Sequence, residues 1–491
     1  MKANFCLLKI GCVAAIMGLF TAKNSLLTAQ GTLANTRPNI VFILSDDTGW
    51  GEIEASGNPV IKTPNINLLW KEGMRFTNYH VAPSCAPTRA QLMTGNHEFH
   101  SGVTHTILKR NYLSQEAITL PQVLKTAGYA TAMFGKWHLG LTEGYRPDQR
   151  GFDKSVNVNN DSQKHHWNPT LLDNGKLRDS KGYRTDILFN EAMGWIEKNQ
   201  SKPFFCYIPT YNAHGPTVVG EEWSNPYENR GLYQQKKGKK FRGVDYYGMV
   251  SNLDYNIGRM LAHLDKLGLN ENTLIIYSTD NGHAISGASG AGHDSNNGKL
   301  LEGGLYNMGM RGAKGQTWRG SSCVPLIFYY PKRIQPNTES NHIAGSIDIL
   351  PTLAELGGAK VNHEISGRSL VPLIDNSKNG WPDRMLIVTR SRWPAGEADA
   401  YKHRNYAIQT ERYRLVNGTG PQGPWKSVEE AQLFDHQNDP AETTDVSSSY
   451  PELKQKMQQY YDNWWDNMRP RMINEQVAID FENNRKKNKK K

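Results

Sequence analysis

The chain has only five cysteines among 491 residues, and two of them, Cys6 and Cys12, lie in the first dozen positions. A small scaffold stapled by disulfides is thereby excluded. Single cores rarely outgrow about 250 to 300 residues, so one large domain with a smaller companion is expected. Long apolar runs are equally scarce. The stretch over residues 10–22 is shorter than the roughly 20 residues a membrane-spanning helix needs, and no later segment qualifies, so no transmembrane segment is expected. Acids are missing from the first nine residues, which carry Lys2 and Lys9. With the apolar stretch and the small-residue site Leu27-Thr28-Ala29, this reads as a signal peptide over 1–29 and predicts a secreted or periplasmic protein. A basic groove is missing too, although the formal net charge is +10. Lys2, Lys9, Lys23 and six basic residues in 485–491 carry nearly all of that excess, and the body is close to neutral. No nucleic-acid partner is expected, and the basic tail, 476–491, is read as a solvated, frayed end.

Short apolar runs are present instead, each ending in polar residues. NIVFILS (39–45) leads to Asp46-Asp47, ATAMF (130–134) to GKWH, PFFCYIP (203–209) to NAHGP, and TLIIYST (273–279) to Asp280-Asn281-Gly282. Between them lie helical patterns, the clearest over 245–267, where Tyr247, Val250, Leu253, Ile257, Leu261 and Leu264 form one stripe. Strands alternating with helices predict an α/β fold with a large, mostly parallel central sheet covered by helices. Ligands of such sheets bind beyond the carboxyl ends of the strands, where these polar clusters fall.

Asp46, Asp47, Asp280 and Asn281 offer oxygen ligands only. One acidic pair after a strand is usually a turn or a helix cap; two at matching strand ends also suit one hard cation, calcium or magnesium, rather than zinc. Lys136, His138 and His214 stand at two further strand ends, and Lys314 and Arg89 add positive charge. Cations beside a metal make a site for a tetrahedral anion, with histidines able to move protons. In SCAPTRAQLMTG (84–95), Pro87 suits the first turn of a helix that would aim free amides at Cys85. Cys206, inside an apolar run, reads as an inert buried residue.

CAPTR and the AQLMTG that follows it resemble the signature of the formylglycine-dependent sulfatases, arylsulfatase-like members of the alkaline phosphatase superfamily. PNIVFILSDDTGWGE, GYATAMFGKWHLG, KPFFCYIPTYNAHGP, NTLIIYSTDNG, IDILPTLAELGG and LFDHQNDPAETTDV extend the similarity over roughly residues 38–465. The resemblance implies a catalytic domain over 38–375 and a smaller C-terminal α+β domain over 380–475. It implies that Cys85 is oxidised by a sulfatase-maturing enzyme to formylglycine, whose hydrate is the nucleophile. It further implies one calcium ion (magnesium as the alternative) on Asp46, Asp47, Asp280 and Asn281, with Arg89 holding the hydrate and the metal-site carboxylates. Lys136 and Lys314 would neutralise the sulfuryl oxygens, His138 would assist the hydrate and His214 would protonate the leaving alcohol. The implied partner is a sulfated glycan or aryl sulfate. Thr88 stands where serine is commoner, and RGSSCVP, with Arg319 and Cys323, replaces a commoner acid and base after Lys314. A superfamily phosphatase or phosphodiesterase would want zinc and more histidine ligands; a non-catalytic glycan-binding relative would leave Cys85 unconverted. Trp50, Trp137, Trp167 and Trp223 are candidates to stack on sugar rings, and the polar insert 220–243 is read as a surface loop.

Overall fold

Four apolar runs become the strands that carry the site: β1 (Asn39–Ser45), β2 (Ala130–Phe134), β3 (Phe204–Pro209) and β4 (Thr273–Thr279). The computed structural model describes residues 32–230, 232, 242–284, 306–375, 381–418 and 430–489, so the expected signal segment and residues 231 and 233–241 of the polar insert lie outside it. In the sheet the order is β4, β1, β3, β2 and then Lys154–Val158, all parallel. Beyond β4 run Leu326–Tyr329, antiparallel, then Met74–Phe76 and Thr338–Ser340. Beyond the other edge run Leu171–Asp173 and Lys176–Arg178, making ten strands among the described residues.

Every residue of β1 is buried, because both faces of this parallel sheet are covered. Its side chains alternate between two cores. Ile40, Phe42 and Leu44 pack on one face, and Val41 and Ile43 on the other. The first face is covered by α1 (Cys85–Thr94), whose ten residues are all buried, and by the helix Ile349–Gly357. On the second face lies α2 (Gly243–Lys266), which seats Leu253, Ile257 and Leu264 of the expected stripe.

A second, antiparallel sheet follows: Leu386–Thr389, Tyr406–Gln409, Tyr413–Asn417 and Gln432–Asp435. The helix Pro451–Met468 lays Met457, Tyr461 and Trp465 on it, one residue every four, and Phe99 from the N-terminal part joins that cluster. Arg414 ties this sheet to the rest: it pairs with buried Glu442 and donates to the Thr317 carbonyl at 2.6 Å, three residues beyond Lys314. The C-terminal segment differs from the frayed tail expected of it, being helical over Asn474–Lys489. Its start is anchored, since Asn474 donates to the carbonyls of Gly102 and Tyr112 and Glu475 lies 2.7 Å from the buried guanidinium of Arg110. No helix among the described residues is long and apolar enough to cross a membrane.

Candidate active site

Strand register assembles the site. Ser45 pairs with Thr279 and Leu44 with Pro209, so the residues that follow all emerge at one edge of the sheet. Asp46 then exchanges backbone hydrogen bonds with the β3 exit, Asp46 N to Asn212 O at 2.6 Å and Ala213 N to Asp46 O at 2.5 Å. Lys136 N reaches Pro209 O at 2.7 Å. Residue 135 must be glycine here, because a Cβ would sit 1.9 Å from that same carbonyl oxygen and φ is +143°. Asp47 and His138 adopt positive φ (64° and 62°), a conformation costly for most residues that re-aims each side chain away from its strand's line.

Cys85 opens α1, with Ser84 extended before it, as the proline two residues on predicted. Its sulfur and carboxylate oxygens of Asp46 and Asp280 lie within 4.8 Å of one another, and Asp46, Asp47 and His214 form a second such group. One turn along α1, on the same face, Arg89 grips Asp280 Oδ2 through Nε and Nη2 (3.1 and 2.7 Å) and the Lys136 carbonyl through Nη1 (2.5 Å). Lys136 Nζ donates to Asp46 Oδ2 at 2.7 Å, and Lys314 Nζ to Asp47 Oδ1. Asn281 Nδ2 also donates to Asp47 Oδ1, at 2.9 Å, and His214 Nε2 stands 3.6 Å from Asp47 Oδ2. Nine of the ten expected residues thus share one network. His138 lies at its border, its N–H on Asp161 Oδ2 at 2.7 Å and its Nε2 on the Thr106 carbonyl at 3.0 Å.

Burial opposes charge at every carboxylate here, and the outcome differs by neighbour. Asp46 is held well below the usual range because Lys136, His214, Arg89 and Lys314 outweigh its burial; Asp47 is lowered likewise, chiefly by Lys314 and His214. Asp280 is pushed up by burial and by the charge of Asp46. Carboxylates crowded this way are relieved by a cation between them. Two oxygens fit that purpose: Asp46 Oδ1 and Asn281 Oδ1 are buried without a hydrogen-bond partner. Burial raises the Cys85 thiol, yet Lys136 and Lys314 overcome this and lower it. Burial opposes protonation of both histidines, pushing His138 down to about 3 and lowering His214. The arrangement can therefore hold a divalent cation and a tetrahedral anion, present a group at position 85 to that anion, and move protons on either side.

Some participants left little trace in sequence. Tyr246 donates to the Asp47 carbonyl at 2.9 Å from the first turn of α2, and Asp161 holds the backbone of both Trp137 and His138. His283 is buried with both ring nitrogens unpartnered, and its place two residues after Asn281 was the available signal. Of the four tryptophans, Trp50 and Trp137 are core residues, which corrects the sugar-stacking expectation for them; Trp167 is 48% exposed and packs on Tyr183 at 5.2 Å. Cys85, Cys206 and Cys323 are all free and buried. The unusual RGSSCVP stretch leaves Lys314 in place, with Arg319 N on Glu442 Oε2 at 2.7 Å and Cys323 Sγ against the Thr77 carbonyl.

A family model described as Sulfatase matches residues 38–359, and one described as N-sulphoglucosamine sulphohydrolase, C-terminal, matches residues 314–466. Arylsulfatase G of Rattus norvegicus is 29% identical over 475 residues, covering 87% of this chain and 86% of that protein. The ulvan-active sulfatase of Formosa agariphila is 28% identical, covering 86% of this chain and 79% of that protein. Among solved structures, Ps i-CgsB superposes with a TM-score of 0.72 at 28% identity, over 88% of this chain and 93% of that one.

Proposed function

The chain belongs to the sulfatase family and is a sulfuric ester hydrolase, and from that premise we propose that it is a secreted or periplasmic enzyme removing sulfate from a sulfated carbohydrate by way of a formylglycine made from Cys85. The observation that carries this is the placement of a buried, acidified thiol against Asp46 and Asp280 and beneath Lys136 and Lys314. A carbohydrate is favoured over a simple aryl sulfate because relatives are named for saccharides: one is ulvan-active, and Ps i-CgsB, 27% identical in that form, was solved with a neocarrahexaose.

A hydrated aldehyde at position 85 supplies two geminal hydroxyls, one a nucleophile toward sulfur and one whose deprotonation lets sulfate leave, an exit that a serine lacks. Asp46, Asp47, Asp280 and Asn281 would hold one divalent cation, calcium by their oxygen-only chemistry with magnesium as the alternative. That cation supplies Lewis-acid polarisation of the sulfate oxygens. Arg89 fixes Asp280 and the Lys136 backbone in register. Lys136 and Lys314 both act on position 85 and stabilise negative charge on the sulfuryl oxygens. His214 has Nδ1 against the Gly215 carbonyl at 2.6 Å and Nε2 3.6 Å from Asp47 Oδ2, and in its protonated form Nε2–H is the proton offered to the departing alcohol. In His138 the Nε2 proton is engaged by the Thr106 carbonyl, which leaves Nδ1 unprotonated and unpartnered, an acceptor for a hydrogen bond from the group at position 85.

Protein co-expressed with a sulfatase-maturing enzyme is expected to carry an aldehyde in its Cys85 peptide by mass analysis and to release inorganic sulfate. Cys85→Ala should abolish release. An unmodified thiol in fully active protein would overturn the reading. Chelation should remove activity and calcium or magnesium restore it; restoration by zinc alone would favour the superfamily phosphatase chemistry instead.

A further inference from the structure

The small sheet delivers two arginines to the rim of the site, Arg390 and Arg392, directly after the strand Leu386–Thr389. Their segment is rigidly held. Arg392 N donates to Arg390 O at 2.9 Å. The next residue, Trp393, is clamped at both ends, its carbonyl accepting from Arg110 Nη1 at 2.6 Å and its indole donating to Glu475 Oε2 at 3.0 Å. Arg110 also closes the loop that bears His105, whose neighbour Thr106 holds His138. On its other side, Arg392 Nη1 lies 3.7 Å from where a Cβ on Gly315 would sit. Gly315 follows Lys314 and donates to the Pro83 carbonyl at 2.7 Å, two residues before Cys85. Arg392 therefore reaches the site between the Lys314 turn and the loop that carries His105 and Thr106.

Arg392 is half-buried, its Nε is buried without a partner, and its guanidinium makes no hydrogen bond or ion pair among the described residues. The charges that bear on its surroundings are of one sign. Burial, then Arg110, Arg392, Arg390 and His138, push His105 down to about 3; burial and Arg392 push Arg390 down to about 10. Arg110 has a carboxylate in contact, Glu475; Arg392 has none among the described residues. A crowded, half-desolvated guanidinium is satisfied by an anion that arrives with a ligand. The departing sulfate is addressed by Lys136 and Lys314, so the anion for Arg392 must be another.

We infer that Arg392, with Arg390 beside it, binds a second anionic group of the substrate, so that the substrate is a saccharide bearing a further sulfate or a carboxylate besides the sulfate it loses. This rests on the sulfatase reading above and adds a substrate class to it.

The test uses the full-length Cys85→Ala protein, which does not turn over, and three disaccharides: one monosulfated, one disulfated, and one monosulfated with a uronate carboxylate. Titration calorimetry is expected to show one of the two dianionic sugars binding about tenfold or more tighter than the monosulfated one; which of them does so identifies the second anion. Adding Arg392→Gln should bring that ratio close to one, and Arg392→Lys should restore part of it, with melting temperatures confirming that both variants fold. A ratio near one with Arg392 present, or a ratio that survives Arg392→Gln, overturns the inference. Sulfate release by the matured wild-type chain reports separately on the reaction. If no sulfate is released while the ratio holds, the catalytic reading fails and the anion site stands.

Discussion

Glu52, five residues beyond the Asp46-Asp47 pair, shows how a single buried side chain ties this site to pH. It is 1% exposed and accepts the Gly49 N–H at 2.6 Å, and burial pushes its carboxyl from an ordinary value near 4.5 up to about 7. The folded state thus holds the proton more tightly than the unfolded chain does. Its contribution to stability is fully present below about pH 4.5 and is lost as pH rises through about 7, at ~1.4 kcal/mol per pH unit inside that window. Glu52→Gln removes the titration, so urea midpoints measured from pH 5 to 7 should fall less steeply in the variant than in the wild type. Parallel slopes would show that Glu52 is ionised in the folded state. Asp46, Asp47, Lys136, His138, His214, Asp280 and Asn281 were legible at this scale because they follow the ends of apolar runs, whereas Cys85, Arg89 and Lys314 took their roles from the family resemblance. Tyr246 was not, because a tyrosine in a helical pattern is indistinguishable in sequence from one that fills space.

At the scale of elements, the four apolar runs coincide with the strands to within one residue, and the long helix spans Gly243–Lys266 against an expected 245–267. Continuous burial on both faces gives such runs no alternative conformation. Strand order left no such mark. That β1 lies between β3 and β4 decides that Asp46 meets Asp280, yet nothing in the spacing of the runs encodes it, and the convergence of the site followed from resemblance to a family. The C-terminal helix Pro451–Met468 illustrates a period that reads in sequence only once its partner is known. Trp465, 2% exposed, meets Trp393 at 5.7 Å and Phe99 at 6.1 Å, so it joins the small sheet to both the Arg392 segment and the N-terminal part. Trp465→Ala should cost about 3–5 kcal/mol of stability. Hydrogen exchange should show the loss concentrated in the strands Tyr406–Gln409 and Tyr413–Asn417; protection unchanged there would mean that the helix adds little to that sheet.

A contact between residues far apart in sequence, Arg110 and Glu475, ties the last described helix to the N-terminal part, and composition disguised it. The surplus of positive charge at the C-terminus suggested a solvated tail, but the segment begins with Asn474 and Glu475, both buried, and Glu475 supplies the carboxylate for Arg110. Residues 110 and 475 are so far apart in sequence that no local pattern could pair them. Because Arg110 also holds the Trp393 carbonyl and the His105 loop, the last helix supports the positively charged rim of the site from behind. Truncation after residue 473 leaves a guanidinium buried without its counter-charge, for which the expected loss is about 3–5 kcal/mol. Removing only 485–491, six basic residues and an asparagine with no apolar side chain to bury, should shift stability by no more than about 0.5 kcal/mol. Thermal unfolding of the two truncations side by side separates these expectations. If both melt with the full-length chain, Arg110 finds another partner and the rim stands without the last helix; if only the longer deletion is destabilised and Arg110→Met restores part of the loss, the buried charge is the cause.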